Sequence, residues 1–109
     1  MKAIRLALFV AVLLFLASSL LLAQGSEGRI LGTIADVSGA AISGATITVT
    51  NTATGVSRTT ASSKAGEFVV PQLEAGPYSV KIQAKGFATV DRTGIHLEVA
   101  KDVRVDVQL

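Results

Sequence analysis

Residues 32–50 read GTIADVSGAAISGATITVT, and residues 64–87 read KAGEFVVPQLEAGPYSVKIQAKGF. In the first stretch Ala45, Ile47 and Val49 alternate with Thr46, Thr48 and Thr50. In the second, Tyr78, Val80, Ile82 and Ala84 alternate with Ser79, Lys81 and Gln83. A period of two built from β-branched residues is the mark of a strand with one face buried. Turn-forming clusters punctuate the pattern at Asn51 to Gly55, Lys64-Ala65-Gly66, Glu74-Ala75-Gly76-Pro77 and Lys85-Gly86. Strands this short, this closely spaced, and without any helical period after Gln24 predict an all-β sandwich or barrel.

Outward from this centre the same grammar continues. Arg29 to Val37 reads as a first strand, with Ile30, Gly32, Ile34 and Asp36 on one face, and Ser38-Gly39-Ala40-Ala41 as its turn. Val56 to Ala61 is a further strand. Glu67 to Val70 is a short one ended by Pro71, with Leu73 as an apolar plug behind it. Ala88 to Arg92 and Ile95 to Glu98 read as two short, weakly patterned strands. The chain closes on Val103, Val105, Val107 and Leu109 alternating with Asp102, Arg104, Asp106 and Gln108. The expected core is Ile47, Val49, Phe68, Val80, Ile82, Val103, Val105 and Val107. Gly39, Gly55, Gly66, Gly76 and Gly86 all fall between strands, where a positive φ is needed. None precedes a helix, so none forms a phosphate cradle.

The first 23 residues have a different character. Lys2 and Arg5 form a positive start, Leu6 to Leu16 is apolar without interruption, and small residues recur at Ala17-Ser18-Ser19 and Ala23. This is the pattern of a secretory signal peptide. Residues 1–23 are expected to be the leader and residues 24–109 the domain. Cleavage is expected after Ala23, with Ser19 and Gly25 as alternative positions. An uncleaved anchor is the competing reading, since Leu6–Leu22 is 17 residues long, at the lower limit for a span. The chain has no Cys, hence no lipid-bearing cysteine and no disulfide. About 85 residues must therefore fold on hydrophobic burial alone, which is feasible at this size.

Charge excludes a further class. Of the 10 Lys and Arg, two lie in the leader, leaving 8 against 8 Asp and Glu. A domain of zero net charge gives no support to a basic surface for nucleic acid or anionic membrane. His96 is the sole histidine, and with Glu98 on the same strand face it lacks the further ligands that zinc needs. No serine sits in a nucleophile elbow. Asp36 reads as a turn residue that bonds nearby backbone amides rather than as a calcium ligand. The alternating charges around Glu98, Lys101, Asp102, Arg104 and Asp106 read as a solvated strand face. No catalytic, cofactor-binding or metal residue is expected, and the chain is not expected to be an enzyme. The remaining route to function is surface contact, with Ala88–Arg92 as the expected docking edge.

The ordered residues Gly32-x₃-Asp36, Gly39, Ile42-x-Gly44-Ala45-x-Ile47-x-Val49, Thr60 to Gly66 with Phe68, Leu73-x₂-Gly76-x-Tyr78-x-Val80 and Gly86-Phe87 resemble the carboxypeptidase regulatory-like domain. The resemblance spans nearly all of the chain after the leader. It implies a seven-stranded, Greek-key-like, transthyretin-like (prealbumin-like) β-sandwich, and no peptidase activity. Such a module behind a signal peptide resembles the front end of TonB-dependent outer-membrane receptors. That implies an exported location in the periplasm or outer membrane, or secretion. The partner would be the remainder of a longer receptor chain or a cell-envelope protein. The chain could equally be a small protein complete in itself, a periplasmic or secreted binding domain for carbohydrate or peptide. Sugar sites favour exposed aromatic platforms, and Phe68, Tyr78 and Phe87 are expected in the core. Related sandwiches form Lys–Asn isopeptide bonds, but the first strand here carries Arg29 and no Lys.

Overall fold

A computed structural model describes the backbone of residues 1–24 and 27–109, and the side chains of residues 1–15 and 27–109. Gly25, one alternative cleavage position, lies outside the described residues, as do the side chains of Ser19 and Ala23. Helix α1 (Lys2–Gln24) is followed by eight strands: β1 (Gly28–Ala35), β2 (Thr46–Asn51), β3 (Ser57–Ala61), β4 (Glu67–Leu73), β5 (Gly76–Gln83), β6 (Val90–Leu97), β7 (Asp102–Arg104) and β8 (Val107–Gln108). The described part of α1 exposes Ile4, Leu6, Leu8, Phe9 and Val12 around its circumference. It has no polar face of the kind that marks an amphipathic surface helix.

The strands form two four-stranded sheets. In one, β1 lies between β4 and the pair β7 and β8; in the other the order is β3-β2-β5-β6. The strand β1 pairs antiparallel with β4 and parallel with β7 and β8, so the first and last strands of the domain are neighbours. The facing sides bury Ile30, Ile34, Phe68, Val70 and Val107 from the first sheet against Ile47, Val49, Tyr78, Val80, Ile82 and Leu97 from the second. Val103 and Val105, expected in the core, are half-buried against its margin. At about 25 cal/mol per Å² of apolar area, each fully buried Ile, Val or Leu stabilises the fold by roughly 1.5–3 kcal/mol relative to exposure.

Four expectations are corrected. The two short strands at 88–92 and 95–98 are one strand, β6, which absorbs an extra residue near Gly94 (φ 71°) between the pairs Tyr78↔Ile95 and Val80↔Arg92. Pro71 does not end its strand. The strand β4 runs through to Leu73 by bulging at Pro71-Gln72, where the register with β1 shifts. Phe87 is not a core residue; it sits 40% exposed on the β5–β6 turn. The closing strand is split, giving eight strands where seven were expected.

The split has a local cause in Gly32. A Cβ at this position would lie 1.8 Å from the Val105 carbonyl oxygen, so the missing side chain lets the C-terminal backbone tuck against β1. The Val105 amide still donates to the Leu31 carbonyl at 2.7 Å. The next amide on the ladder, that of Thr33, donates instead to the Asp106 carboxylate at 3.0 Å. A side chain thus replaces the main-chain bond lost between β7 and β8. Leu109 then resumes the ladder, its amide donating to the Ala35 carbonyl at 2.8 Å.

Candidate functional site

The polar groups of the sandwich gather at its two ends. At the end where β1 begins, the β2–β3 turn and the β4–β5 turn flank a cleft of about 230 Å³. Its floor is Val49, Leu73 and Tyr78; its walls are Asn51, Thr54, Val56, Arg58 and Gln72, with Glu27 and Glu74 also lining it. Both flanking turns are held by a bond that the sequence makes locally. The Asn51 side-chain oxygen accepts the amides of Ala53 (2.9 Å) and Thr54 (3.1 Å), folding the turn on itself. The Tyr78 ring is buried, and its hydroxyl donates to the Glu74 carbonyl at 2.7 Å, tying the β4–β5 turn down.

Arg58 crosses from β3 to the edge of β4. Its guanidinium donates to the carbonyls of Pro71 and Gln72, the latter at 2.8 Å. These carbonyls belong to the bulge, where Gln72 adopts a left-handed φ of 58°. The bulge therefore has its own donor. Sequence reasoning passed over Arg58 and the buried Ser62, since each is a single polar residue whose partners lie elsewhere in the fold. Ser62 ties the β3–β4 connection to the β1–β2 connection at the opposite end, accepting the Ala45 amide (2.9 Å) and donating to the Ile42 carbonyl (2.7 Å).

At that opposite end, Asp36, Asp106 and Gln108 line a shallow second depression with Thr33 and Gly39. Asp36 behaves as its sequence context predicts. Its carboxylate accepts the Ser38 hydroxyl (2.6 Å) and the amides of Ser38 (2.9 Å) and Ala40 (3.0 Å). The Ser38 hydroxyl and then the Ala40 amide hold the Asp36 carboxyl below its ordinary range. The hydrogen bond from Arg104 does the same to Asp106, helped by Thr33. Asp102 is lowered by its bidentate bonds from Arg29, at 3.0 and 2.7 Å. Asp102 and Asp106 are exposed and Asp36 is half-buried, and all three serve turns or ion pairs. His96 is exposed on β6 opposite Pro77. Among the described residues, no three His, Cys, Asp or Glu side chains group as a metal site would require.

The carboxypeptidase regulatory-like domain family matches this chain over residues 29–109. The chain belongs to that family. No curated protein matches it. Among solved structures, this regulatory-like domain superposes on a protein described as carbohydrate-binding from Bacteroides uniformis with a TM-score of 0.62 and 21% identity, covering 77% of this chain and 41% of that one. The TIE protein of Bacillus anthracis gives 0.61 and 17%, covering 76% and 16%. The dioxygenase domain of a dioxygenase carbohydrate-binding protein fusion from Streptomyces sp. SirexAA-E gives 0.58 and 11%, covering 78% and 80%. The chain thus spans less than half of the first two proteins. At these identities the likeness is one of fold alone.

Proposed function

We propose that this chain is a non-catalytic, exported interaction module, serving as the N-terminal extension of a TonB-dependent receptor-like protein at the cell envelope. The observation that carries the reading is the order of parts: a helix whose described part has no polar face, then a regulatory-like domain beginning within a few residues of its end. The polar side chains support it. Asp36, Asn51, Arg58, Ser62 and Asp106 are committed to backbone groups that the fold itself leaves open. Those bonds give each of these side chains a structural role in the fold.

Expression of the full chain in a bacterial host, followed by fractionation and N-terminal sequencing, tests the export step. The expected product begins at Gln24 and lies in the envelope fraction; a product that retains Met1 in the cytosol refutes it. Sequencing of the transcript beyond codon 109 tests the receptor context. A continuing frame that encodes a plug and alternating barrel strands is expected, and a stop codon refutes it. The end cleft favours a second reading, a stand-alone binding domain for saccharide or peptide. Oligosaccharide titration monitored by amide NMR shifts tests that reading directly.

A further inference from the structure

Three of the four lateral edges of the sandwich are blunted in ways that resist strand addition. The edge of β4 carries the Pro71-Gln72 bulge, whose carbonyls are taken by Arg58. The edge of β6 carries the Gly94 bulge. On the fourth side β7 and β8 are three and two residues long, with a break between them. The strand β3 differs. It makes five consecutive pairs with β2, from Thr46↔Ala61 to Thr50↔Ser57, without a shift, and it contains no Pro, Gly or acidic residue.

The phase of its hydrogen bonds is fixed at both ends. The Asn51 amide donates to the Val56 carbonyl, and the Ser62 amide donates to the Ala45 carbonyl. Bonded and non-bonded pairs alternate in an antiparallel ladder. Val56, Arg58 and Thr60 therefore turn their backbone groups toward β2, while Ser57, Thr59 and Ala61 turn theirs to the open edge. Arg58, the one charge that could guard this edge, is folded onto β4. Val56 has the same side-chain parity as Arg58, is 64% exposed, and lines the end cleft with Leu73 and Tyr78. Glu27 and Glu74 line the same cleft, two carboxylates against a single guanidinium already engaged by carbonyls.

We propose that β3 accepts an extended peptide as a fifth strand of its sheet, with an aliphatic side chain covering Val56 and a basic side chain meeting Glu27 and Glu74. The backbone supplies the affinity, and the cleft selects the alternate side chains. This rests on the interaction-module reading and moves the docking edge from Ala88–Arg92 to Ser57–Ala61.

The test uses the exported protein, isotope-labelled, titrated with the blocked peptide acetyl-Thr-Val-Thr-Val-Thr-Lys-amide and followed by amide NMR shifts. Saturable shifts confined to residues 54–61 and to Glu27 and Glu74 are expected. N-methylation of the peptide amides that face β3 should weaken binding about tenfold or more, and methylation of the alternate set should be tolerated. Thr59→Pro removes an outward amide without removing a ladder bond, so the same loss is expected with the rest of the spectrum unchanged. The methylated peptides leave the protein unaltered and decide the matter if that variant disturbs the fold. Combining Glu27→Gln with Glu74→Gln should remove most of the salt dependence. Shifts centred on β6 overturn the assignment while preserving the interaction-module reading. Binding indifferent to N-methylation, or the absence of shifts at millimolar peptide, also overturns it; the receptor-module reading then stands or falls on the export and transcript experiments.

Discussion

Gly32→Ala is the substitution on which the account of the closing strands depends most directly. The new Cβ would sit 1.8 Å from the Val105 oxygen and 2.5 Å from its carbon. Ordinary contact begins near 3.4 Å, so the C-terminal backbone must retreat by roughly 1.5 Å. That retreat pulls against the 2.7 Å bond from Val105 to Leu31 and the 3.0 Å bond from Thr33 to Asp106. Overpacking of this kind costs about 1–3 kcal/mol, and each weakened hydrogen bond adds up to about 1 kcal/mol. Removing a glycine from a strand interior returns about 0.5–1 kcal/mol. The net destabilisation is about 2–3 kcal/mol, which for a domain of this size lowers Tm by roughly 10–20 °C. Urea and thermal unfolding of the exported domain measure it, and hydrogen exchange should show the loss concentrated at residues 103–109. A variant within about 0.5 kcal/mol of the parent, the range of an inconsequential surface change, would refute the close approach.

The other expectations are simpler. Ser62→Ala strands the Ala45 amide inside the sandwich and should cost about 1–3 kcal/mol by urea unfolding, whereas Ser43→Ala at an exposed position should be neutral. Val80→Asp places a carboxylate at a fully buried site and should cost several kcal/mol, read as loss of the cooperative transition and of dispersed amide signals. Acidification should destabilise the domain. Asp36, Asp102 and Asp106 have folded pKa values below their unfolded ones. Their contribution is therefore complete above about pH 3.9 and lost as pH falls through the lowered folded values. Unfolding midpoints at neutral pH and on descent below pH 4 measure this, and an unchanged midpoint contradicts it. High salt should shrink the part due to Arg29–Asp102, an exposed pair.

Strands β2 and β5 were legible because their apolar and polar residues alternate without exception, which one buried face requires. Asp36 was legible because its partners lie two and four residues away. What escaped the reading depends on partners distant in sequence. Proline suggested a strand end at Pro71, yet β4 continues because Arg58, 13 residues earlier, supplies the donor that its bulge needs. Ala88–Arg92 and Ile95–Glu98 looked like separate strands because Gly94 interrupts the alternation, as a bulge does. Phe87 looked like core by its size, but a turn places it where no opposing layer exists. The even alternation of residues 102–109 gave no hint of the break at Val105-Asp106, whose cause is a missing side chain on β1. The end cleft had no local signature, since its lining comes from β2, β3, β4 and β5, from the turns beside them and from Glu27 ahead of β1.

The parallel pairing of β1 with β7 and β8 bears on how the domain would respond to force. Strand β1 begins at Gly28 and β8 ends at Gln108, at opposite ends of the same pair of neighbours, about 26 Å apart along eight residues of strand. Tension applied between these two points would slide the neighbours past one another. The bonds at Arg29, Leu31, Thr33 and Ala35 would then be loaded together, with the Arg29–Asp102 pair beside them, rather than opened one after another. A sandwich threaded in this way meets a pull along the chain in shear.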